Sequence, residues 1–81
     1  MIRYFHDLHR MLIARLSPSG QFCELAIYHI KVTGDGFQLD WEAGREPIID
    51  VLPEGQALKI LKGFIPYDPR SELAEDLGGE G

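Results

Sequence analysis

The chain has 81 residues, one cysteine, 44% hydrophobic residues and a formal net charge of −5. That length suits one domain near the lower end of what folds unaided, and the apolar share excludes the composition of a disordered chain. A single cysteine excludes an internal disulfide and a cysteine-built zinc cage, and no apolar run approaches the roughly 18 residues of a spanning helix.

Charge is unevenly distributed. Residues 1–33 hold four basic side chains and two acids, whereas residues 34–81 hold four basic side chains and eleven acids. Nothing resembles the basic stripe that phosphate-backbone binding needs, so nucleic acid is disfavoured as a partner and a basic protein surface suits the acidic half better. No charged segment followed by an apolar run and a cleavage site opens the sequence, which leads to the expectation of a cytoplasmic protein without membrane association.

Residues Ile2 to Leu16 carry a helical period. Ile2, Phe5, Leu8, Leu12, Ile13 and Leu16 form a stripe, and Tyr4 and Met11 widen it to an arc of roughly 200°, more than one packed layer needs. An amphipathic helix is therefore expected, ended by Ser17-Pro18-Ser19-Gly20. Its surplus flank, Tyr4, Leu8, Met11 and Arg15, is the candidate contact face. From Gln21 to Ala43 the period becomes two, broken only at Gly34-Asp35-Gly36. A two-residue loop at Gly34-Asp35 pairs Val32 with Phe37, Ile30 with Leu39 and Tyr28 with Trp41, which places all six on one face of a β-hairpin. A third short strand is expected over Ile48–Leu52, with Pro47 tolerated at its start. Pro53 to Lys62 reads as a second helix: Pro53 opens it, Ala57, Leu58, Ile60, Leu61 and Phe64 supply a buried face, and Gly63 caps its end. Ile65 to Pro69 reads as extended, Pro69 to Leu77 as a final turn, and residues 78–81 as a flexible tail.

The expected architecture is thus an α+β single domain over residues 1–77. An N-terminal helix packs on an antiparallel hairpin within a three-stranded sheet, followed by a second helix and a C-terminal turn.

Candidate chemistry is sparse. His6 and His9 at i, i+3 on a helix share a flank, yet zinc would need further ligands, and His9 falls inside the apolar arc, where a packed histidine is the simpler reading. Cys23 and His29 lie roughly 20 Å apart along one strand, too far for a thiolate dyad, so Cys23 reads as a small buried residue. His29 and Asp40 fall opposite each other across the hairpin, where a carboxylate could orient an imidazole as a general base. Asp40, Glu42, Glu46 and Asp50 form an acidic cluster without EF-hand spacing. Gly34-Asp35-Gly36 lacks the rest of a dinucleotide loop and is a turn.

The sequence therefore points to a small non-enzymatic protein-binding module without cofactor or metal. It has the general profile of bacterial or phage accessory and inhibitor proteins that occlude a surface of a larger partner. Tyr4, Leu8, Met11, Arg15, Asp40, Glu42 and Glu46 are the candidate partner-binding residues. One alternative gives the same helix face to a homodimer with a structural or regulatory role. Another is a small metal-binding or hydrolytic protein using His6, His9, His29 and Asp40.

Overall fold

The computed structural model describes residues 1–67, and the expected final turn over Pro69–Leu77 and the tail 78–81 lie outside them. Along the chain run β1 (Arg3–Asp7), β2 (Leu12–Ser19), β3 (Phe22–Thr33), β4 (Gly36–Leu39), β5 (Ile48–Leu52), α1 (Glu54–Ile60) and β6 (Ile65–Tyr67). The strands form one antiparallel sheet in the order β4-β3-β2-β1-β6, and β5 also pairs with β3. The twelve-residue β3 is long enough to serve two partners on one edge: Cys23–Ile27 pairs with β5, and Ile30–Thr33 pairs with β4.

The expected N-terminal helix is not present. Residues 3–19 instead make a hairpin in which Arg3 faces Leu16, Phe5 faces Ala14 and Asp7 faces Leu12. Both faces of this part of the sheet are apolar. Tyr4 and Ile13 occupy one, and Phe5, Leu12, Ala14 and Leu16 occupy the other. A strand buried on both faces has no clean alternation, and its adjacent apolar pairs (Tyr4-Phe5, Leu12-Ile13) satisfy a 3.6-residue period equally well. The wide apolar arc is thus a property of two strands with two covered faces.

Side chains fix the turns. Between β1 and β2 the Arg10 backbone N–H donates to Asp7 Oδ1 at 3.2 Å, and Arg10 Nε donates to Oδ2 at 2.6 Å. Met11 then takes a left-handed φ of 57°, and its carbonyl accepts the Ile30 N–H at 3.0 Å. Between β2 and β3, Ser19 pairs with Phe22 around a two-residue loop led by Gly20 at φ 63°, the first position of a hairpin turn that requires a positive φ. Pro18 lies beyond Leu16, the last β2 residue that β1 pairs, so its missing N–H breaks no ladder bond.

The β3–β4 hairpin has Val32 opposite Phe37 and Ile30 opposite Leu39 around Gly34-Asp35. Tyr28 and Trp41 fall outside the ladder, but their rings meet edge-to-face at 6.3 Å. The six residues do not share a buried face, because Val32 and Trp41 are 66% and 62% exposed. Among the described residues no helix lies over them.

The one helix among the described residues is α1, with Pro53 at its N-cap and Gly63 at φ 93° just beyond its end. It covers one face of the sheet: Ala57 and Leu61 pack with Ala14, Leu16, Cys23, Leu25 and Leu52, and Phe5, Ile27 and Phe64 flank them. Leu58 and Ile60, expected inside, are exposed. On the opposite face Ile13, Ala26, Tyr28, Ile30 and Leu39 form a second core, with Tyr4, Met11, Phe37 and Tyr67 against it. No helix of the described residues is long and apolar enough to cross a membrane.

Candidate functional site

The seven residues singled out from the sequence are dispersed. Tyr4 and Arg15 are direct cross-strand neighbours on β1 and β2, so a pairing expected along a helix flank exists across a ladder instead. Tyr4 is half-buried, and its hydroxyl is enclosed with no hydrogen-bond partner among the described residues. Arg15 pairs with Glu24 of β3 at 3.8 Å. Leu8 is exposed on the β1–β2 turn, whereas Met11 packs against the same core as Tyr4. Leu8 thus stands apart from the other three.

The acidic residues follow β4. Asp40 is only 6% exposed, and Glu42 and Glu46 are exposed. Asp40 Oδ1 accepts the Glu42 N–H at 3.1 Å, and Oδ2 pairs with Arg45 Nη1 at 3.4 Å. Glu46 Oε2 accepts the Gly44 N–H at 3.2 Å. Asp40 therefore folds the 40–46 loop back on itself, while Glu42 and Glu46 keep charge at the surface.

This arrangement removes the proposed His29–Asp40 base. The Asp40 N–H donates to the His29 carbonyl at 2.8 Å, so the two residues are adjacent, but the carboxylate is turned to Arg45. His29 Nδ1 is buried with no hydrogen-bond partner among the described residues. His6 and His9 do not share a flank: His6 lies on β1 with its ring 4.9 Å from that of Tyr67, and His9 is exposed on the turn. Among the described residues no group of three His, Cys, Asp or Glu side chains is placed to hold a metal ion. Cys23 is buried. An open cleft beside the β2–β3 turn is lined in part by Arg3, Leu16, Phe22, Cys23 and Glu54. Arg3 and Glu54 in its lining neutralise each other through their ion pair at 2.8 Å, and no histidine lines it.

The exposed apolar side chains of β5 lie outside these candidate residues. Ile48, Ile49 and Val51 are 59%, 57% and 56% exposed, although all belong to a strand paired to the centre of the sheet. The ladder explains two of them. Ile49 faces Ala26, whose methyl is too small to cover it, and Val51 faces Glu24, whose head group turns to Arg15. Tyr28 is the next β3 residue on the same face, and exposed Trp41 stands against its ring. Trp41, Ile49 and Val51 are thus exposed apolar side chains on the side of the sheet away from α1. Along the chain Glu42, Glu46 and Asp50 are exposed acids close to these residues. The signal was present in Ile48-Ile49-Asp50-Val51, an apolar strand with a single charge and few residues elsewhere to cover it. No protein-family model, characterised protein or solved structure gives a match to this chain.

Proposed function

We propose that the protein is a non-enzymatic binding module that occludes a surface of a protein partner, with the contact centred on Trp41, Ile49 and Val51. The observation that carries this reading is the exposure of two β-branched side chains and a tryptophan on one side of the sheet. Leaving each half in water forgoes about 1 kcal/mol, a sizeable share of the stability of a small domain. Contiguous apolar exposure inside a polar rim is the usual mark of a contact surface, and tryptophan is a frequent anchor of such contacts. Exposed Glu42, beside Trp41, and exposed Glu46, just before β5, favour a partner with Lys or Arg around an apolar centre, because complementary charge steers encounter and rejects wrong partners.

Site-specific photo-crosslinking in the producing cell tests the reading. Benzoylphenylalanine in place of Val51 is expected to give a discrete adduct with another protein. The same probe in place of Leu58, exposed on the outer side of α1, is expected to give none. Absence of an adduct from Val51, or one adduct pattern from both positions, rejects this surface.

A further inference from the structure

β5 has a partner on only one side among the described residues, and the phase of its outward-facing backbone is fixed twice over. The Val51 N–H donates to the neighbouring Asp50 Oδ1 at 3.2 Å, so it faces away from β3. Independently, the His29 carbonyl bonds toward β4 and the Ile30 N–H toward β2, which assigns odd-numbered β3 residues to the edge that β4 and β5 share. Leu25 and Ile27 are odd-numbered and face Asp50 and Ile48, so these two β5 residues bond to β3. Backbone direction alternates along an antiparallel strand, and the N–H and C=O groups of Ile49 and Val51 therefore point outward. The same two residues carry the exposed apolar side chains on the face away from α1.

We propose that the partner is an extended polypeptide segment of alternating apolar and basic residues that adds to the sheet beside β5. This rests on the protein-binding reading above and specifies its mode. The apolar residues of the incoming strand lie on the Ile49/Val51 side, and their backbone groups bond those of Ile49 and Val51. The basic residues lie on the other face, opposite Asp50. Pro47 and Pro53 bracket the edge and limit the match to about the length of β5.

Asp50 makes the choice of partner. Its carboxylate occupies the outward Val51 N–H, which blunts an edge otherwise open to pairing. A Lys or Arg on the incoming strand draws that carboxylate away and frees the N–H. A second copy of this chain paired symmetrically about Asp50 would set two carboxylates against each other, a pairing that cross-strand repulsion disfavours.

The test uses the isotope-labelled full chain and synthetic heptapeptides of alternating valine and lysine. The lysine peptide is expected to shift the amide resonances of Ile48–Leu52 and slow hydrogen exchange at Ile49 and Val51. It is expected to bind at least about ten-fold more tightly than the valine–glutamate counterpart, and Asp50→Asn is expected to narrow that gap. N-methylation of the valine nitrogens, which face β5, should weaken binding about ten-fold or more, whereas N-methylation of the lysine nitrogens should not. Two results overturn strand addition: no shift at Ile48–Leu52 with millimolar lysine peptide, or equal binding of both methylated forms. If either occurs while Val51 still gives its crosslink in cells, docking through side chains stands and only the strand mode falls. If the crosslink is absent as well, both fall. Sedimentation showing β5-dependent dimers without peptide overturns the basic partner in favour of a second copy.

Discussion

Asp7 holds the first hairpin closed, and its chemistry makes that role visible in a titration. The hydrogen bond from the Arg10 side chain, aided by the Arg10 backbone N–H and charge, lowers the carboxyl below its ordinary value of 3.8. A lowered folded-state pKa means the unfolded chain binds the proton more readily. The contribution to stability is therefore complete above the ordinary value and is lost as pH falls through the depressed one. Asp7→Asn keeps an oxygen acceptor for the Arg10 N–H but removes the charge. Urea midpoints followed into acid should fall less steeply for Asp7→Asn than for the parent. An unchanged acid limb would show that Asp7 does not act through ionisation.

Asp40 is a different case, a buried carboxylate serving a backbone N–H and a guanidinium. Asp40→Ala is expected to cost about 1–3 kcal/mol, measured by urea denaturation, because both groups lose a charged acceptor. At Gly20 the open space around the Cα isolates a pure backbone effect, since an added Cβ meets nothing within 4 Å. Gly20→Ala should therefore cost about 1 kcal/mol through the left-handed φ alone.

Among the elements, the β3–β4 hairpin and α1 were legible because each signal is local. Two glycines and a one-sided alternation fix the Gly34-Asp35 register, and Pro53 with Gly63 marks both ends of α1. The face that α1 buries was only half legible. Ala57 and Leu61 go inward, while Leu58 and Ile60 stay out, because a helix of seven residues presents a narrow stripe to the sheet. Ala57 has no accessible surface, so Ala57→Leu is expected to overpack that contact by about 1–3 kcal/mol. The first hairpin was not legible, since burial on both faces erases the period that separates strand from helix. Leu16 tests its placement. As a β2 side chain enclosed between the sheet and α1, it should cost about 2–5 kcal/mol on replacement by alanine, read from thermal or urea unfolding.

At the scale of the molecule, the fold separates two apolar surfaces that the sequence merges. One is closed by α1; the other continues past Ala26 to Ile49 and Val51, where only small or charged neighbours stand opposite. The chain is expected to sediment as a monomer at micromolar concentration, given the Asp50 carboxylate held on the outer Val51 N–H of β5. Concentration-dependent dimers lost on Ile49→Asp would assign the surface to self-association instead. The candidate site follows the same division as the fold. Glu42 and Glu46 were legible as surface acids, whereas the exposure of Ile49, Val51 and Trp41 was not, because the sequence places them in ordinary core patterns. By itself the sequence determined the length, the acidic second half, the Gly34-Asp35 register, β5 and the position of α1, all set by residues close together along the chain. Only the tertiary structure decided that Arg3–Asp7 and Leu12–Ser19 pair as strands, that Asp40 turns to Arg45 rather than His29, and that β5 is an edge among the described residues. Each of these depends on which strand lies beside which, and long-range pairing across an antiparallel sheet leaves no period in the sequence when both faces are covered.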